Sequence, residues 1–99
     1  MNVVVIEDEQ AASRRLIRML EKQDLIVLAS LSSVETAIEW FKNNSHPELI
    51  FLDIQLSDGL SFSIFESVHI NSAIIFTTAF DAYALQAFKL NSIDYLLKP

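Results

Sequence analysis

Short apolar runs recur along the chain, separated by segments in which polar and apolar residues mix at helical spacing. The runs Val3 to Ile6, Leu25 to Leu31, Leu49 to Leu52, Ala73 to Phe76 and Tyr95 to Leu97 are mostly rich in Val, Ile, Leu or Phe. Being short and lacking strict alternation, they predict buried strands. Between the first two, Ala12, Leu16, Met19 and Leu20 share one helical face, while Arg14, Arg15, Arg18, Glu21 and Lys22 fall mainly elsewhere, which predicts an amphipathic helix. Ser32 followed by Glu35 fits a capping box, and Val34, Ala37, Ile38 and Phe41 recur at helical spacing until Asn43 and Asn44 end the run. Leu60 to Val68 and Ala82 to Phe88 are two further helix candidates. Strands thus alternate with helices, and that alternation predicts an α/β fold with a parallel, doubly wound sheet. No internal repeat or low-complexity tract interrupts it.

Composition narrows the functional classes. With 99 residues there is room for one domain, and 52% hydrophobic against 20% charged residues predicts a folded one. Seven basic residues against thirteen acidic ones leave a net charge of -6, which opposes direct binding to nucleic acid or to anionic lipid. No apolar stretch reaches the roughly 18 residues that a bilayer span requires, and no basic leader precedes Val3, so a cytoplasmic location is expected. The absence of Cys excludes disulfides and thiolate metal sites without fixing the compartment.

In an open parallel sheet, ligands gather beyond the carboxyl ends of the strands. The first predicted strand ends in Glu7, Asp8 and Glu9, and the third ends in Asp53, so carboxylates are expected to converge at one sheet edge. Unit charges about 4 Å apart repel by roughly 4 kcal/mol at an effective dielectric near 20, so such a group requires a proton or a cation. Oxygen-only ligands favour a hard divalent ion, with Mg²⁺ leading. The plainer alternative, solvated loop acids that stabilise the dipole of the following helix, suits Glu9 best. For Glu7, Asp8 and Asp53 it is weakened, because the fourth and fifth predicted strands end in Thr78 and Lys98. A hydroxyl donating to a phosphoryl oxygen and an ammonium opposing its charge complete a set suited to phosphoryl chemistry.

Glu7-Asp8, the stretch FLDIQLSDGLSF around Asp53, FTTA with Thr78 and DYLLKP with Lys98 together resemble, in order and spacing, the receiver domains of bacterial two-component response regulators. The resemblance covers essentially the whole chain, and TTAFDAYALQAFKLNSIDYLLKP is most similar to receivers attached to LytTR-type DNA-binding domains. It implies a flavodoxin-like, doubly wound five-stranded parallel sheet in the order 2-1-3-4-5. Asp53 would accept a phosphoryl group from a sensor histidine kinase. Glu7, Asp8, Asp53 and the backbone carbonyl of Gln55 would hold Mg²⁺, with Glu7 acting mainly through water. Thr78 and Lys98 would contact the phosphoryl oxygens, and Thr78 and Tyr95 would carry the switch. Gln55 and Phe80 would tune the phosphoryl lifetime, and the Lys98-Pro99 peptide would be cis. The implied protein is a regulatory phosphoacceptor rather than an enzyme acting on a separate substrate, with a C-terminal, DNA-binding output domain expected in the full-length chain.

A complete receiver continues into a fifth helix, so residues 1–99 are expected to form a C-terminally incomplete receiver, and the uncovered sheet face predicts self-association into homo-oligomers. Gly59, the only Gly, is expected in a turn with an unusual backbone conformation. His46 and His69 read as solvated surface residues, and Trp40 as part of the helix face or of a partner contact. Aspartate-nucleophile phosphohydrolases are similar but carry a second Asp two residues after the nucleophile, where Gln55 stands here. A flavodoxin-like cofactor module would place a phosphate-cradling loop where Glu7, Asp8 and Glu9 lie. A receiver-like interaction module that takes no phosphate is the remaining alternative.

Overall fold

The structure, a computed structural model, describes residues 1–78 and 94–97, with side chains through residue 77. The helix expected over 82–88, Phe80 and the Lys98-Pro99 peptide lie outside the described residues. In chain order the elements are β1 (Asn2–Ile6), α1 (Gln10–Lys22), β2 (Ile26–Leu31), α2 (Val34–Asn43), β3 (Leu49–Asp53), β4 (Gln55–Leu56), β5 (Gly59–Leu60), α3 (Phe62–Ser67), β6 (Ala73–Thr78) and β7 (Asp94–Leu97).

The strand–helix alternation produces a parallel sheet in the order β2-β1-β3-β6-β7. Its central strands are apolar without alternation because helices cover both faces. Val3, Val5 and Phe51 pack with Leu20 of α1 on one side. On the other, Val4, Ile6, Ile50, Leu52, Ile74 and Phe76 pack with Ala37 and Phe41 of α2 and Ile64 of α3. Phe76 is fully buried, with the Phe62 ring 5.4 Å from its own.

β2 departs from the expected buried strand. It forms the sheet edge, and Ile26 and Leu28 are 63% and 45% exposed. Its pairing with β1 contains a bulge: Val3 faces Val27 but Val4 faces Ala29, so Leu28 has no opposite number. The bulge explains a switch of faces that strict alternation forbids. Val27 packs on the α1 side, whereas Ala29 and Leu31 pack on the α2 side.

Several local expectations shift by a residue or more. The buried face of α1 carries Ser13, Leu16, Ile17 and Leu20, while Met19 is 63% exposed. Ser13 is tolerated there because its Oγ lies 2.9 Å from Ser30 Oγ on β2. The cap of α2 is Ser33 rather than Ser32, with Thr36 rather than Glu35 as its partner. Ser33 Oγ accepts the Thr36 N–H at 3.1 Å, and Thr36 Oγ1 accepts the Ser33 N–H at 3.2 Å. Because α2 begins at Val34, only its immediate predecessor can cap it. α3 starts at Phe62, since Leu60 is drawn into a short antiparallel hairpin with Gln55. Gly59 in that hairpin has φ 143°, a conformation that glycine adopts most readily, as expected of the turn.

His46 is half-buried rather than solvated. Its ring packs edge-on against Phe41 at 5.2 Å, and its Nε2 donates to the Phe41 carbonyl at 3.1 Å, closing the end of α2. His69 is exposed, as expected. Trp40 is half-buried and packs edge-on against Phe41 at 5.1 Å.

Candidate functional site

β1 and β3 are adjacent and parallel, with Ile6 opposite Leu52, so the residues that follow them emerge side by side at the carboxyl edge. This register brings Glu7, Asp8 and Asp53 together, each offering a carboxylate oxygen within 4.8 Å of the others. Glu7 and Asp53 are buried, at 6% and 8% exposure, and Asp8 is more accessible than either. The Glu7 backbone N–H is held by the Leu31 carbonyl at 2.9 Å, and its Oε2 accepts the Glu9 N–H at 3.1 Å. Glu9 itself is the residue preceding α1, where its charge favours the helix dipole.

Carboxylates this close repel by several kcal/mol even at an intermediate dielectric. The donor set is all oxygen and partly open through Asp8, which fits a hard divalent cation of the Mg²⁺ type. Asp8 and Gln55 share a cleft of about 570 Å³ with Leu56, Ser57, Gly59 and Leu60. A small reactant therefore has access to the acidic cluster from the side of the β4–β5 hairpin.

The remaining predicted positions are reached by the backbone alone. Asp53 pairs with Thr77, so Thr78 is the last residue of β6, at the same edge of the sheet as Asp53. Tyr95 lies in β7 opposite Phe76. Lys98 lies outside the described residues.

One residue beside this site was not singled out from the sequence. Asp58, at the tip of the β4–β5 hairpin, accepts the backbone N–H groups of Val34 at 2.8 Å and Glu35 at 3.0 Å, both in the first turn of α2. The Val34 bond, then the Glu35 bond, hold its carboxyl below the usual carboxylate range. The Asp58-Gly59 dipeptide signals a turn, but nothing in the local sequence announces a helix 24 residues upstream as its partner.

A parallel α/β sheet with an acidic cluster at the carboxyl ends of two neighbouring strands defines a receiver-type architecture, and the whole sequence agrees: residues 3–99 match the Response regulator receiver domain family. The chain belongs to that family, whose members are regulatory modules of two-component signalling. The sensory transduction protein LytT of Bacillus anthracis is 40% identical over 103 residues, a match covering 100% of this chain and 42% of the relative. LytR of Streptococcus mutans serotype c is 32% identical over 108 residues, covering 100% of this chain and 43% of the relative. The chain thus spans well under half the length of these relatives. Among solved structures, the response regulatory domain of mrkE from Klebsiella pneumoniae has a TM-score of 0.85 at 31% identity, covering 100% of this chain and 84% of that one. The response regulator TrrA from Thermotoga maritima, in complex with Mg(2+)-BeF, has the same fold, with a TM-score of 0.83 at 19% identity over 99% of this chain and 86% of that one. No helix among the described residues is long and apolar enough to cross a membrane.

Proposed function

We propose that this chain is the phosphoacceptor switch of a two-component phosphorelay, with Asp53 as the residue that receives the phosphoryl group. The observation that carries this reading is the convergence of Glu7, Asp8 and Asp53 within 4.8 Å at the carboxyl edge of a receiver sheet. Asp8, Asp53 and the Gln55 backbone carbonyl would bind Mg²⁺ directly, and Glu7 would bind it through water. That TrrA, a protein of the same fold, is found with Mg(2+)-BeF supports this choice of ion. When bound, the ion supplies positive charge against the carboxylates and the incoming phosphoryl oxygens.

In the transfer, an Asp53 carboxylate oxygen forms the new O–P bond as the P–N bond to a kinase histidine breaks, and the imidazole leaves with a proton. The protein contributes mainly position and charge. Thr78 would donate to the phosphoryl oxygens, Lys98 would oppose their charge, and Thr78 with Tyr95 would convert the change into a new surface. The same reading gives residues 1–99 as a receiver of flavodoxin-like fold with five parallel strands, a cytoplasmic location, self-association, and a DNA-binding output region in the longer protein. The extra length of the LytT and LytR relatives supports a further region in the longer protein.

The test is intact-mass measurement after incubation with Mg²⁺ and a small acyl phosphate, with Asp53→Asn in parallel and circular dichroism on both. One phosphoryl group on the parent alone is the expected result. A folded parent that stays unmodified, also when extended past Pro99, would instead point to an interaction module that works without phosphate.

A further inference from the structure

We propose that Asp58 is a positioning residue for this site: by accepting the Val34 and Glu35 N–H groups, it ties the β4–β5 hairpin to the start of α2 and holds Gln55 at the cleft beside Asp8. The inference rests on the phosphoacceptor reading and extends it to a residue outside the acidic cluster.

Three observations support it. The first turn of α2 is fully accounted for: Ala37 N–H bonds to the Ser33 carbonyl and Thr36 N–H to Ser33 Oγ, while Val34 and Glu35 N–H go to Asp58. Both Asp58 oxygens are used, one per donor, and the carboxylate sits where the helix dipole favours negative charge, so the tie is charge-assisted and directional.

Second, the Asp58 bonds act at the tip of the hairpin, while its far end is held separately by the Ser63 hydroxyl, which donates to the Leu60 carbonyl at 2.8 Å. Only two residues pair on each side, and a hairpin of that size is marginal by itself. Ile54 and Leu56 are buried and anchor its base, and the Ser61 N–H bonds to the Ile54 carbonyl at 2.8 Å. Gln55, Ser57, Asp58, Gly59 and Leu60 are all exposed. Gly59, with φ 143°, is paired with Leu56, and open space lies where a Cβ would stand.

Third, the segment so held lines the cleft shared with Asp8. Gln55 lies two residues beyond Asp53 and three before Asp58, so movement at the tip is passed to the backbone beside the carboxylates through a very short lever.

The experiment compares the parent, Asp58→Ala and Ser33→Ala in acyl-phosphate uptake as a function of Mg²⁺ concentration. Ser33→Ala weakens the same helix start, by about 1 kcal/mol, without touching the hairpin. The expected result is that Asp58→Ala raises the half-saturating Mg²⁺ concentration about tenfold while the uptake rate at saturating Mg²⁺ stays within about twofold. Ser33→Ala should leave both unchanged. Should Asp58→Ala not fold, Asp58→Asn is measured instead; it keeps one acceptor for the two donors and should show a smaller rise in the same direction. Equal Mg²⁺ dependence in the parent and the folded Asp58 variant overturns the proposal, as does an equal loss in Ser33→Ala, which would mark a general effect of helix fraying. A parent that takes no phosphoryl group at any Mg²⁺ concentration fails at the earlier step, and is distinguished by being silent before any variant is compared.

Discussion

Asp24 occupies a left-handed position after a helix that is usually given to glycine. It follows α1 with φ 63°, its N–H bonds to the Glu21 carbonyl at 3.1 Å, and the N–H of Leu25 bonds to the Leu20 carbonyl at 3.2 Å. These two bonds define a Schellman ending, completed by Leu20 and Leu25 meeting in the same apolar cluster. Asp tolerates the left-handed conformation better than most residues, yet it bears steric strain there and sets a negative charge at the negative end of the helix dipole. Replacement by Gly relieves both and returns part of the gain to the unfolded chain as backbone entropy. Asp24→Gly should therefore stabilise the fold by about 0.5–1 kcal/mol, read as a higher urea midpoint at unchanged slope. A midpoint at or below the parent's would refute the strain argument. The ending was hidden from sequence reading because the usual glycine signal is absent.

Between elements, the tie from the β4–β5 hairpin to α2 makes the fold sensitive to acid. The Asp58 carboxyl titrates below its ordinary value of 3.8 because the Val34 and Glu35 N–H groups favour its charged form. A carboxyl depressed in the folded state contributes stability that is fully present above the unfolded value and is lost as pH falls through the folded one. Solvent exposure screens the effect, so its sign rather than its size is the prediction. The stability difference between the parent and Asp58→Asn should be largest near neutral pH and shrink below about pH 3.8, measured by urea denaturation across that range. A difference independent of pH would show that the charge on Asp58 contributes nothing to the tie. Legibility follows the same division. The apolar runs named the central strands of the parallel sheet because burial on both faces leaves an unbroken hydrophobic signature, whereas the edge strand β2 shows the same run with Ile26 and Leu28 exposed. The start of α2 was misplaced by one residue because Ser32 and Ser33 are equally good caps in isolation, and only the packed helix chooses between them. Met19 was assigned to the buried face of α1 because a hydrophobic stripe has no way to announce that Ser13, paired to Ser30, takes the inner position instead.

For the whole molecule, the acidic cluster was readable because it needs only two facts: that Glu7, Asp8 and Asp53 each follow an apolar run, and that parallel strands end at a common edge. The bulge in β2 was not readable, since Leu28 looks like any other strand residue until its pairing with β1 is known. Its consequence concerns chain length. β2 spends six residues where β1 uses five, so it contains one that the ladder can do without. Deleting Leu28 should join Val27 directly to Ala29, preserve the partners of Val3 and Val4, and alter stability by less than about 1 kcal/mol. Deleting Val4 from β1 should instead turn Val5 and Ile6 to the wrong faces and abolish cooperative unfolding. Thermal melts of the two deletions would decide it, and equal damage from both would contradict the pairing. The outer strand of this sheet is thus a place where insertions and losses can accumulate, while the strands that deliver the carboxylates keep a fixed count from core to edge.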